Sequence, residues 1–154
     1  MADVTENSTQ DIVNRYRDAV AELVRYLPWL KEHAQSQVSE VYSSDQMGNT
    51  IPFAVYDSTL IAFVKAAQAT GLMDRNWIYV YRRKSLASHK DELLFIQDAE
   101  IRDMDQLNGI LSRYVLEGVT RGAAWSEGVT SGVFEKVLSK MDELIRYWDH
   151  PERN

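Results

Sequence analysis

A chain of 154 residues, 45% hydrophobic and 26% charged, is long enough for one domain that hides roughly 70% of its unfolded surface, so a core can form without covalent staples. The absence of cysteine excludes a disulfide framework, a thiolate zinc site and a cysteine nucleophile. The net charge of −6, with acids spread along the chain, opposes a nucleic-acid surface as the main role, because phosphate recognition needs a clustered cationic face.

Residues 1–7 read as a flexible arm and residues 8–150 as a single globular domain. The acidic start, Met1 to Glu6, lacks the basic-then-apolar order of a secretory leader. No apolar run approaches the roughly 20 residues that cross a bilayer. A soluble cytoplasmic protein with no membrane partner is expected. Ser8 is placed to cap a first helix, whose apolar residues Ile12, Tyr16, Ala19, Val20, Leu23, Val24 and Leu27 recur at three and four and form one stripe. Pro28 stops or bends that helix, since it cannot donate to the preceding turn, and a short second helix can start there.

Residues 36–52 are rich in Ser, Gln, Asp and Asn and read as a surface loop. Asp57 is a cap for a helix burying Leu60, Phe63, Val64 and Ala67, with Gly71 as its left-handed end. In residues 77–81, Trp-Ile-Tyr-Val-Tyr, β-branched and aromatic side chains alternate and predict a strand. Residues 93–96 could pair with it across a loop carrying Arg82, Arg83, Lys84, His89 and Lys90. Asp103 with Gln106 resembles a capping box ahead of Leu107, Ile110, Leu111, Tyr114 and Val115. A connector with glycines at 118, 122, 128 and 132 leads to the cleanest stripe, Phe134, Val137, Leu138, Met141, Leu144, Ile145 and Trp148. The expected fold is mainly α, α+β at most: a helical bundle of about five helices with a two-stranded β element near residues 77–96.

Catalytic signatures are sparse. Ala124-Trp125-Ser126-Glu127-Gly128 is a relaxed nucleophile elbow, with Ala in place of the first Gly, but an elbow needs a strand before its Ser. His33, His89 and His150 are isolated, so no metal is expected. Neither common phosphate cradle occurs, and no cofactor is expected. Asp98, Glu100, Asp103 and Asp105 precede a helix, where the macrodipole favours acids. Trp125 has no apolar stripe to join, and Arg121 and Glu127 flank it.

The chain resembles an uncharacterised bacterial domain family of small standalone proteins over residues 51–145. The likeness rests on Ile51-Pro52-Phe53-Ala54-Val55-Tyr56, on Phe63 followed by Gly71-Leu72-Met73, and on Trp125 seven residues before Gly132 with an amphipathic helix after it. Arg121-Gly122-Ala123-Ala124 stands where the family usually carries an Arg-Phe pair and an acidic Gly step. The resemblance implies a fold and a bacterial or phage setting, and it implies no reaction.

The preferred expectation is a binding or regulatory module, acting on a protein or small ligand through a groove lined by Tyr56, Trp77, Arg121, Trp125 and Glu127. The alternative is a small hydrolase or transferase with Glu127 as general base and Arg121 stabilising developing negative charge. A third reading is weak nucleic-acid binding through Arg82, Arg83 and Lys84. A homodimer is also open to the chain, since a dimer seam and an exposed amphipathic face look alike in one sequence.

Overall fold

A computed structural model describes residues 2–34 and 57–149. Among these the chain is all-α, without strands: α1 (Ala2–Leu23), a 3-10 turn (Val24–Tyr26), α2 (Leu27–His33), α3 (Ser58–Ala69), α4 (Trp77–Arg83), α5 (His89–Asp98), a second 3-10 turn (Ile101–Asp103), α6 (Met104–Thr120), α7 (Ala123–Thr130) and α8 (Val133–Trp148). The polar stretch at 36–52, Tyr56 and His150 lie outside the described residues. No helix described is long and apolar enough to cross a membrane.

The amphipathic stripes become the core. Helix α1 starts at Ala2, ahead of Ser8, and buries Val13, Tyr16, Val20 and Leu23. Pro28 sits in the first turn of α2, where its missing N–H costs nothing, and the 3-10 turn before it absorbs the bend. Asp57 caps α3 by accepting from the amides of Thr59 (2.8 Å) and Leu60 (3.4 Å). Helix α6 runs through the centre, packed against α4, α7 and α8. Its Tyr114 ring meets Phe134 edge-on at 5.9 Å, and Phe134 meets Phe63 at 5.0 Å. The capping box lies three residues upstream of the expected pair: Asp103 accepts from the Glu100 amide at 2.8 Å, and the Glu100 side chain accepts from the backbone of Asp103. Arg17 forks onto Asp149 at 3.0 and 2.7 Å and ties α1 to the end of α8.

The β element near residues 77–96 is replaced by two helices. Trp77, Val80 and Tyr81 stand at i, i+3 and i+4 and face the protein, while Ile78 and Tyr79 face solvent. A strand would have turned 77, 79 and 81 one way together. Tertiary packing decides against the local β preference: Val80 lies so close to Gly109 of α6 that an added Cβ there would come within 2.7 Å of it. Helix α5 has its own start signal, since the Ser88 hydroxyl accepts from the Asp91 amide at 3.2 Å and Asp91 accepts from the Ala87 amide at 2.8 Å. The Gly-punctuated connector is itself mostly helix α7, and Gly132 turns the chain into α8 with φ +84.

Candidate functional site

The structure brings some of the expected site residues together and separates others. Arg121, at the end of α6, lies 3.3 Å from Glu127 and 3.4 Å from Glu117; Glu117 in turn lies 3.3 Å from Arg113. The Arg113 guanidinium sits 5.9 Å from the centre of the Trp77 ring. Trp77, Arg121 and Glu127 therefore join one charged ladder along α6, through Arg113 and Glu117, which sequence reasoning missed although their spacing of four was readable. Trp125 has a different use. Its indole N–H donates to the Val115 carbonyl at 2.9 Å, and its ring covers Gly118, where a Cβ would fall 2.0 Å from the indole. Only a glycine at 118 admits that ring. Tyr56 is outside the described residues.

The relaxed elbow is not one. Ser126 lies within helix α7, buried, with its hydroxyl unpartnered, and no strand precedes it. Glu127 is half-exposed and ion-paired with Arg121. Arg82 and Arg83 occupy the last turn of α4 instead of a loop between strands, and Lys84 caps it with its ammonium 5.9 Å from the Phe95 ring. His33 is held by the Trp29 carbonyl at 2.9 Å and stacks on that indole. Among the described residues no three His, Asp or Glu side chains gather as metal ligands.

The strongest polar constellation was not anticipated. Glu92 of α5 is only 1% exposed. Its carboxylate accepts from Tyr81 of α4 (2.5 Å), from Tyr114 (2.8 and 3.0 Å) and Arg113 (2.9 Å) of α6, and from His89 Nδ1 (3.0 Å). Burial, and then the neighbouring Glu92 charge, push both phenols well above the ordinary tyrosine range, so they remain donors. Partial burial works against the Arg113 charge, but Tyr81, Tyr114 and Glu92 outweigh it and hold the guanidinium protonated. Both carboxylate oxygens are satisfied, which is the condition for a buried charge to be tolerated. Three helices are thereby pinned around one group.

A second feature lies along α8, where the sequence pattern places Trp148 on the buried stripe. Trp148 is exposed, not part of the buried stripe. Beside that stripe, the α8 positions 135, 136, 139, 140, 143, 144, 147 and 148 border two adjoining hollows facing α5 and the second 3-10 turn. One, of about 440 Å³, has Leu93 and Ile96 on its far side. The other, of about 570 Å³, is lined by Ile101, Leu144, Tyr147 and Trp148, with the last two rings edge-on at 5.1 Å. Lys140 and Glu143 border both. At 1.5 Å per residue this groove follows α8 for about 20 Å. The Lys140 side chain is 16% exposed, and its carboxylate partner Glu143, 70% exposed, is 3.8 Å away, the longest ion pair among the described residues.

No protein-family model, curated protein or solved structure matches the chain.

Proposed function

We propose that the chain is a cytoplasmic binding module that holds, in the groove along α8, a small ligand with an apolar body and one acidic group. The observation that carries this reading is Lys140: a largely covered side chain whose ammonium is weakly partnered, bordering two hollows with apolar and aromatic walls. Ligand sites are concave and mostly apolar, with a few placed polar groups that fix orientation. A carboxylate on the ligand would replace the distant Glu143 by a charge-assisted hydrogen bond. The resemblance over residues 51–145 implies a bacterial or phage setting and no reaction. A hydrolase or transferase based on Glu127 has less support, because Glu127 and Arg121 are engaged with each other at 3.3 Å.

The test is an amide-resolved NMR titration of the full chain with medium-chain fatty acids and arylacetic acids. Saturable shifts are expected at Lys140, Leu144 and Trp148, and Lys140→Gln should weaken binding about tenfold or more, the value of a hydrogen bond to a charged group. Shifts that map elsewhere, or an affinity that Lys140→Gln leaves untouched, would remove the proposal.

A further inference from the structure

Helix α4 turns two unlike faces in opposite directions. Inward, Val80 is set against Gly109, Tyr81 donates to Glu92, and Trp77 meets Tyr81 edge-on at 5.7 Å. The first two contacts, to α6 and α5, hold the helix in one orientation. Outward, Ile78 is 42% and Tyr79 55% exposed. One turn further on, at the i+4 positions, stand the exposed Arg82 and Arg83. Each large side chain thus has a guanidinium for a neighbour on the same face.

The charge around this face is one-sided. From Arg75 to Lys90 the sequence places Arg75, Arg82, Arg83, Lys84 and Lys90 and no acid, in a chain whose net charge is −6. Of the acids that flank the stretch, Asp74 turns back onto the Asn76 amide, Asp91 onto the Ala87 amide, and Glu92 is buried among Tyr81, His89, Arg113 and Tyr114. Among the described residues neither Arg82 nor Arg83 has an ion pair. Exposed aromatic and aliphatic side chains beside unpaired arginines are the composition of an interface centre, where Tyr and Arg supply most of the binding energy.

We infer that the outer face of α4 docks an acidic segment of a protein partner, with carboxylates on Arg82 and Arg83 and an apolar side chain against Ile78 and Tyr79. Ile78 decides the class. An aliphatic side chain gains nothing from a phosphate and little from a base, whereas single-strand recognition uses several stacking rings and this face exposes one. A symmetric dimer through the same face would set the arginines of one copy against those of the other. A partner carrying negative charge and a hydrophobic anchor satisfies both halves of the face.

The experiment measures fluorescence anisotropy of a labelled synthetic peptide of about twelve residues, glutamates alternating with leucine and phenylalanine, against the full chain. Polyglutamate of equal length and oligothymidylate serve as competing probes. The mixed peptide should bind best. Arg82→Glu with Arg83→Glu should weaken it at least about tenfold and flatten its salt dependence, since two opposite charges have become like charges. Ile78→Ser with Tyr79→Ser should weaken it while the salt dependence stays, and both variants should keep the wild-type helix signal because the altered residues face solvent. Tighter binding of oligothymidylate, affinity unmoved by the charge reversal, or no saturation at millimolar peptide would overturn the inference. Concentration-dependent self-association that the charge reversal abolishes would overturn it in favour of a second copy of the chain.

Discussion

Glu92 and Lys140 are two charged side chains set against the core that the fold partners in opposite ways. Glu92 is enclosed by Tyr81, Tyr114, Arg113 and His89, drawn from three helices, and both its oxygens are satisfied. Lys140 is partly buried beside hollows and has Glu143 at 3.8 Å. A charge whose partners are all supplied from within fixes the fold; a charge with room beside it can receive something from outside. Stability should therefore depend strongly on the first residue and weakly on the second, and ligand binding the reverse.

The largest expected effect tests the closed side. Glu92→Ala strips the acceptor from two buried phenols and leaves Arg113 without its buried counter-charge, so unfolding free energy should fall by about 3–5 kcal/mol. Urea denaturation followed by far-UV circular dichroism measures it. A loss below about 1 kcal/mol would show that the network is incidental, and the contrast with Lys140 would collapse.

Next comes a single phenol. Tyr81→Phe keeps the ring and deletes one hydrogen bond to a charged acceptor, for an expected loss of about 1.5–3 kcal/mol. The same hydroxyl gives a pH signature. Its folded pKa is raised by burial and by Glu92, so its stabilisation is fully present below the unfolded value of about 10 and is lost as pH rises beyond it. Wild-type stability should fall in alkali from about pH 10 upward, and Tyr81→Phe with Tyr114→Phe should flatten that decline. An unchanged slope in the double variant would mean that the phenols are not what titrates.

A third change probes the other enclosed contact. Gly118→Ala puts a Cβ where the Trp125 ring lies, which overpacking data price at about 1–3 kcal/mol. The indole must move off Val115, so Trp emission should shift along with the unfolding midpoint. Retained emission and midpoint would show that the ring is free to slide.

These regions were unequally visible in the sequence. Stripes at three-and-four spacing gave α1, α3, α6 and α8, because burial of one face follows from local periodicity. Helix α4 was obscured: its aromatic and β-branched residues favour a strand locally, and only the spacing of Trp77, Val80 and Tyr81 pointed to a helix. Ser88 and Asp91 held the start signal for α5. The Glu92 network could not be seen at all, since its acceptor and donors lie 11 to 22 residues apart, apart from the nearby His89, and meet only after three helices pack. Trp125, conspicuous for lacking a stripe, packs over Gly118 in a pairing that no periodicity records.

The smallest stability effect is the most discriminating. Lys140→Met keeps the length of the side chain and its apolar stem while removing the charge, and substitutions away from buried networks usually stay within about 0.5 kcal/mol. Its distant partner Glu143 is solvent-exposed and needs no replacement. The urea midpoint should therefore stay near wild type, while binding of the apolar carboxylates used in the NMR titration weakens. Should Lys140→Met instead cost more than about 1.5 kcal/mol, the ammonium would be a structural partner like those of Glu92, and the groove would lose the group that orients its ligand.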